Sequence, residues 1–470
     1  MVASFRLPCF PGRLILIGFG GVARAVLPLL QRSFNLAAER ITVISNDEEE
    51  KNAAIDRVGV FVVETLTRRN FVRVLGPLVS EGDVLINLSF GVSSVALIDF
   101  CHQRNVIYLD VETTPWTGGH TDMTLSSSLR AGYALREAVL SRKAPFQRGA
   151  TALIAHGANS GMTAHYLKRA LLTLADDLGV ETGVPWNRSG WAGLMQRLGV
   201  RSIHLGGCDS QTTLQPRRRF EFVNSWSPVG LANMAAQPAE LGWGTHERDW
   251  SVDVRRHHFG CGSAVCLERP GGSSRIRTWS PEAGATQGLL LSCHGVSATA
   301  DYFTLRDSHL RYRPTCCYAF QPCDDAWLSL RDYMNEEWAP PEKRRVLGED
   351  VQDGVSECGV LLLGHARGAY WYGARLSIAE ARRWAPEANA ATAQTAAGVL
   401  AGVAWSLSNP QSGIVEPEEL EFQYPLDVAS PYMGEVVGQY SDWTPLKGRG
   451  LLFEEALDVE NPWKFQNFRV

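Results

Sequence analysis

Gly18, Gly20 and Ala23 stand at G-x-G-x-x-A spacing in Gly18-Phe19-Gly20-Gly21-Val22-Ala23, and the chemistry of that spacing is anion capture. The first glycine permits a tight turn and the second lets a pyrophosphate approach bare backbone. The small third residue keeps the next helix close to the strand. Exposed N–H groups from Gly21 and Val22 onward would hold the phosphates. Ser45 and Asp47 follow the next apolar run at the place where an acid binds ribose hydroxyls. A neutral Ser45 leaves NADP open, but no arginine follows it at once and the acids from Asp47 to Glu50 would repel a 2′-phosphate, which favours NAD. Thr67, Asn87 and Ser89 are further cofactor-side candidates. Asn87 and Ser89 would serve equally well as turn residues satisfying local backbone. A second glycine-containing turn, His156-Gly157-Ala158-Asn159-Ser160-Gly161-Met162, precedes a helix expected over 163–174.

The elements that must position these residues alternate regularly. Leu14-Ile15-Leu16-Ile17 reads as a strand buried on both faces, and a helical apolar period runs through Val22, Val26, Leu27 and Leu30. Further strands are expected at 40–44, 59–63, 84–89, 106–110 and 150–154. The fold class is therefore α/β: a Rossmann-type doubly wound parallel sheet over residues 1–155, followed by a second α+β domain with a mixed sheet over 156–387. Phe220 to Trp226 and Gly359 to Gly364 look like strands of that mixed sheet. The alanine-rich run 388–407 reads as a helix packed back on the first domain, and 411–470 as a turn-rich tail.

Composition narrows the function classes. No run reaches the roughly 18 apolar residues of a membrane helix, and Pro8 and Pro11 interrupt any signal-like start. A net charge of −5 argues against nucleic acid. The ten cysteines lack paired spacing, so neither a zinc site nor a disulfide framework is expected, and a reducing cytoplasm fits. The expected partner is a small molecule.

Blocks along the whole chain carry a resemblance. IGFGGVARAVLPLL, INLSFGVSS, YALREAVL, HGANSGM, FVNSWS, QPAELGWGTHER, RPTCCYAFQPC, LLLGHARGAYWYG and YSDWTPL, from about residue 12 to 470, resemble the bacterial homospermidine synthases, relatives of the saccharopine dehydrogenases. The resemblance implies a homodimer and a redox-neutral reaction with recycled NAD. In that reaction one amine of putrescine is oxidised to an imine and an amino group is lost. A second amine condenses at the same carbon, and the new Schiff base is reduced. It also implies catalytic roles for Trp226, a cation–π face, for His294, near the reacting carbon, and for Asn159, on the cofactor side as well; Ser160 replaces a family proline.

The family's acids are another matter. Five of them fall on Gly91, Thr114, Gly207, Met234 and Val296. Desolvating an unpaired ammonium costs several kcal/mol, whereas one tryptophan face returns only about 0.5–2 kcal/mol. A pocket of Thr114, Gly207, Met234 and Val296 beside Trp226 and His294 is therefore expected to take an amine less cationic than putrescine, or an amino or keto acid. Glu112, Asp209 and Glu240 are nearby acids that would restore ordinary homospermidine synthesis. A third reading is a non-catalytic NAD-binding partner or sensor.

Overall fold

The computed structural model describes residues 7–54, 56–146 and 148–470. Its first sheet is built from β1 (Leu14–Ile17), β2 (Ile41–Ser45), β3 (Val60–Val63), β4 (Val84–Asn87), β5 (Ile107–Asp110) and β6 (Ala152–Leu153). All strands are parallel, in the order Ile414–Val415, β6, β5, β4, β1, β2, β3. β1, β2, β4 and β5 are buried along their whole length, because helices cover both faces of such a sheet. Winding reverses between β1 and β4, and a crevice opens at the carboxyl ends of the strands at such a switch point.

Register holds the crevice floor level. Ile17 lies opposite both Ile44 and Asn87. Gly18 N–H donates to Ile44 O at 2.8 Å, and Leu88 N–H to Ile17 O at 2.9 Å, so the glycine turn is tied on both sides. Helix α1 (Gly21–Phe34) then buries Ala23, Val26, Leu27 and Leu30. The helix Ala390–Ser408 packs on α1 and on the first sheet, as its small residues imply. A Cβ on Gly398 would collide with the backbone carbonyl of Gly157, so only glycine admits that approach.

The second sheet is mixed and ten-stranded. Val355–Leu363 runs near its middle, paired with Ser202–Gly206 and Ala369–Ser377. The run Phe220–Trp226 departs from its expected place in this sheet. Only Glu221–Asn224 is extended, and it pairs in parallel with Lys343–Val346 as a separate ribbon. Residues after 408 are shared between the layers: Ile414–Val415 joins the first sheet and Glu435–Ser441 edges the second. Among the described residues no helix is long and apolar enough to cross a membrane.

Candidate active site

The glycine turn opens a cleft lined by Gly18, Gly20, Ser45, Glu50, Thr65 and Ser89. Gly18 has φ +87°, which side-chain-bearing residues rarely adopt, and a Cβ there would lie 3.2 Å from Ser89 N. Gly20 is different. Its φ of −69° suits any residue, and a Cβ there meets nothing nearer than Glu50 Oε1 at 3.9 Å. That bare space above the first turn of α1 is a cradle sized for phosphate, so the fold itself does not need glycine at 20.

Three cofactor-side expectations are corrected. Asp47 is exposed and accepts from Glu49 N–H at 2.8 Å; the acid that turns into the cleft is Glu50, which accepts from the Ser45 hydroxyl. Burial raises the Glu50 pKa, although the Ser45 hydrogen bond opposes it. Thr67 lies outside the cleft, bonded to Asn70 Oδ1 through N–H (2.7 Å) and hydroxyl (2.9 Å), and Glu64, Thr65 and Leu66 line the wall instead. Asn87 braces its own loop, donating to Val92 O at 3.3 Å and accepting from Ser89 N–H at 3.2 Å. Ser89 faces the cleft as expected.

Beyond Gly20 the cleft continues into a cavity of about 1070 Å³ including its mouth, where Gly21, Val22 and Ala23 meet Asn159, Trp226, Met234 and Tyr318. Three carboxylates line it: Glu112, Asp209 and Glu357. Glu112 accepts from Ser160 Oγ (2.7 Å) and from His294 N–H (2.8 Å). Asp209 accepts from Gln211 N–H (3.1 Å), from Gln211 Nε2 (2.9 Å) and from the Ser225 hydroxyl. Glu357 accepts from Glu282 N–H (2.8 Å) and Cys208 N–H (3.3 Å), with Arg375 Nε at 3.6 Å. Burial pushes all three pKa values up, so each gains from an arriving cation. No cation is among the influences on Asp209.

The expected neutral lining is thus corrected at Gly207 and Val296, for a spatial reason, while Met234 lines the cavity as expected. Gly207 lies outside the cavity, and a Cβ there would fall 2.6 Å from Glu357 Cβ, so Glu357 occupies the space a side chain at 207 would enter. Val296 is fully buried in the helix His294–Tyr302 and faces the core. Thr114 turns into an adjoining chamber that shares Phe90, Glu112 and Met234 with the main cavity, and its hydroxyl donates to Val92 O at 2.7 Å. Gly91, at φ +108°, shapes the turn between that chamber and the glycine-turn cleft. Glu240 does not line the cavity. It accepts from Tyr133 N–H at 3.0 Å, and burial pushes it up to about 8.

Trp226 and Asn159 are on the wall, as expected. Asn159 Nδ2 donates to Tyr318 OH at 3.3 Å, while its Oδ1 is buried without a partner among the described residues. An acceptor left open beside the glycine turn suits a carboxamide or an ammonium. His294 does not line the cavity, which corrects the expectation of a ring beside reacting carbon. Its Nε2 bonds Glu416 Oε1 at 2.9 Å, and Arg136 holds the same carboxylate at 2.6 and 2.8 Å. Burial opposes charging the ring, but Glu416 outweighs it and raises the His294 pKa; Glu416 is lowered because Arg136 and His294 outweigh its own burial. Through its backbone N–H, His294 orients Glu112. Sequence reasoning missed Glu50, Glu357 and the Ser160 contact; the acid run from Asp47 to Glu50 and a lone acid just before the apolar run 359–363 gave the only hints.

The fold and the site define a class: a two-domain dehydrogenase scaffold that binds a dinucleotide. Residues 14–153 match the saccharopine dehydrogenase NADP binding domain and residues 157–441 the saccharopine dehydrogenase C-terminal domain. The chain is 42% identical to homospermidine synthase of Mesorhizobium japonicum, over 98% of this chain and 96% of the relative. It is 41% identical to that of Blastochloris viridis, over 98% and 97%. The crystal structure of homospermidine synthase from Legionella pneumophila in complex with NAD superposes with a TM-score of 0.91 at 41% identity, covering 99% of each chain. This chain belongs to the homospermidine synthase family.

Proposed function

We propose that this protein is a homospermidine synthase that uses NAD and joins diamines of the putrescine type. The observation that carries this reading is the cavity itself, where half-buried Glu112 and buried Asp209 and Glu357 line the wall beside the glycine turn. The alternative of a less cationic substrate rested on absent acids, and acids from elsewhere in the chain stand in the lining. Nothing in the site favours a non-catalytic sensor.

The dinucleotide fits. Bare backbone at Gly20, the Ser45–Glu50 pair at the ribose end and the open Asn159 Oδ1 suit phosphate, ribose and carboxamide in turn. Glu50 would repel a 2′-phosphate, which supports NAD over NADP. NAD, when bound, supplies a hydride acceptor for the amine carbon and a donor for the final reduction.

Everything else falls to the chain. Glu112, raised by burial and held by Ser160 and the His294 N–H, takes the proton from an ammonium so that its nitrogen can lose or gain a bond. Asp209 and Glu357 hold the ammonium that stays charged. Trp226 gives a cation–π face to the same groups. Phe90, Met234 and Phe320 cover the apolar methylene chain and keep out the water that would hydrolyse an imine.

The test is incubation of purified protein with NAD and putrescine, followed by mass spectrometry. Homospermidine should form without net NADH. Turnover of a monoamine or amino acid with none of putrescine would refute the reading.

A further inference from the structure

The nucleotide cleft has one wall that comes from the second domain. Strand Lys343–Val346 is pinned there: Leu347 N–H donates to Asn224 O at 2.9 Å and Asn389 Nδ2 to Leu347 O at 2.6 Å. Side chains alternate along a strand, so residues 344 and 346 share one face and 345 takes the other. Val346 Cγ1 lies 2.8 Å from where a Cβ on Gly21 would be, which puts the shared face against the glycine turn. Arg345, on the opposite face, is taken up by Glu221 (3.1 Å) and Asp350 (2.6 Å).

Arg344 has no such partner. Its only hydrogen bond among the described residues is from Nε to Pro341 O at 3.0 Å, which leaves both terminal nitrogens of the fork open. It lines the same cleft as Gly18, Gly20 and Ser89, and it is the only lysine or arginine among the described lining residues. The other charged residues there are Glu50 and Glu64. A pyrophosphate brings about two negative charges, and a helix N-terminus offers only about half a positive one. In a cleft otherwise edged by carboxylates, a cation adds to what the backbone N–H groups supply and offsets the repulsion from Glu50 and Glu64.

We propose that Arg344 reaches from the second domain to bind the pyrophosphate of the dinucleotide, so that the cofactor itself bridges the two domains. This rests on the dinucleotide reading of the cleft. The same ribbon carries Trp226 just beyond Asn224, so a clamp at Arg344 would also steady the substrate wall.

The test uses the full-length protein freed of nucleotide, with ADP-ribose, NAD, NADP and adenosine titrated calorimetrically into wild type, Arg344→Gln and Arg344→Lys. Arg344→Gln should weaken ADP-ribose and NAD by about tenfold and leave adenosine within about twofold, with Arg344→Lys in between. The salt dependence of ADP-ribose binding should flatten in Arg344→Gln. Unchanged ADP-ribose affinity would overturn the proposal. So would an equal loss for adenosine, or a loss confined to NADP, since each puts the guanidinium elsewhere. Wild-type protein that binds none of these nucleotides would instead refute the dinucleotide reading, so the two failures are told apart. Unfolding midpoints without ligand check that both variants fold.

Discussion

Asp209→Asn separates charge from shape at the site more cleanly than any other change. The carboxylate is buried, and its bonds run to Gln211 N–H, Gln211 Nε2 and the Ser225 hydroxyl. Asparagine can keep the Gln211 bonds at its carbonyl oxygen and donate from its amide to Ser225 Oγ, since a hydroxyl both gives and accepts. Only the negative charge goes. At about 4 Å and an effective dielectric near 20, a carboxylate–ammonium pair is worth about 4 kcal/mol. A neutral carbonyl left in place returns about 1 kcal/mol. The net loss of about 2–3 kcal/mol lowers kcat/KM for putrescine about 30- to 150-fold. Stability should move the other way. Burial raises the Asp209 pKa with no cation to oppose it, so the charge is a cost to the free fold at neutral pH, and the variant should melt at the same temperature or higher. The assay is steady-state homospermidine formation beside thermal unfolding, with butylamine as a comparator that lacks the second ammonium. If Asp209 holds the ammonium that does not react, butylamine turnover stays nearly unchanged while putrescine falls. A putrescine kcat/KM within about threefold of wild type would refute this assignment of Asp209.

Two other perturbations follow from the same coordinates. Gly20→Val should fold normally, because φ is −69° and a Cβ meets nothing nearer than Glu50 Oε1 at 3.9 Å, yet NAD affinity measured by calorimetry should fall by about 100-fold or more as the phosphate cradle fills. A large drop in the ligand-free melting temperature would show that glycine serves the fold there. Glu240 gives a pH signature: burial pushes it up to about 8, above its value in the unfolded chain, so the folded state holds the extra proton and loses stability as pH rises from about 4.5 to about 8. Glu240→Gln should match wild type near pH 4 and gain as pH climbs, by about 5 kcal/mol at most near pH 8. Parallel unfolding curves across that range would count against it.

Much of the first domain is legible in the sequence because its signals are local. Four consecutive apolar residues, a glycine spacing and a helical period lie within Leu14–Leu30, and the strand and helix there follow from sterics and burial over a few turns. Gly18, Ser89, Asn159 and Trp226 reach the cleft or cavity as expected. Direction is less legible than position. Asp47 and Glu50 belong to one acidic run, yet only one turn of helix decides that Glu50 and not Asp47 meets Ser45. His294 sits in the right place along the chain, but its ring follows Glu416, a residue 122 positions away.

What the sequence by itself determined is the scaffold: a dinucleotide turn on a doubly wound sheet, a mixed second sheet and a small-residue helix returning to the first. Which acids line the cavity was decided only in three dimensions, which keep Glu112 and Asp209, turn Glu240 away and add Glu357. Glu112 begins the loop after β5, Asp209 follows one strand of the second sheet, and Glu357 lies in another that presses into the room left by Gly207. Reading acids position by position counts a neutral residue at 207 as a lost charge. Packing counts space and not positions, so a side chain from a neighbouring strand restores the carboxylate where the chain order has none.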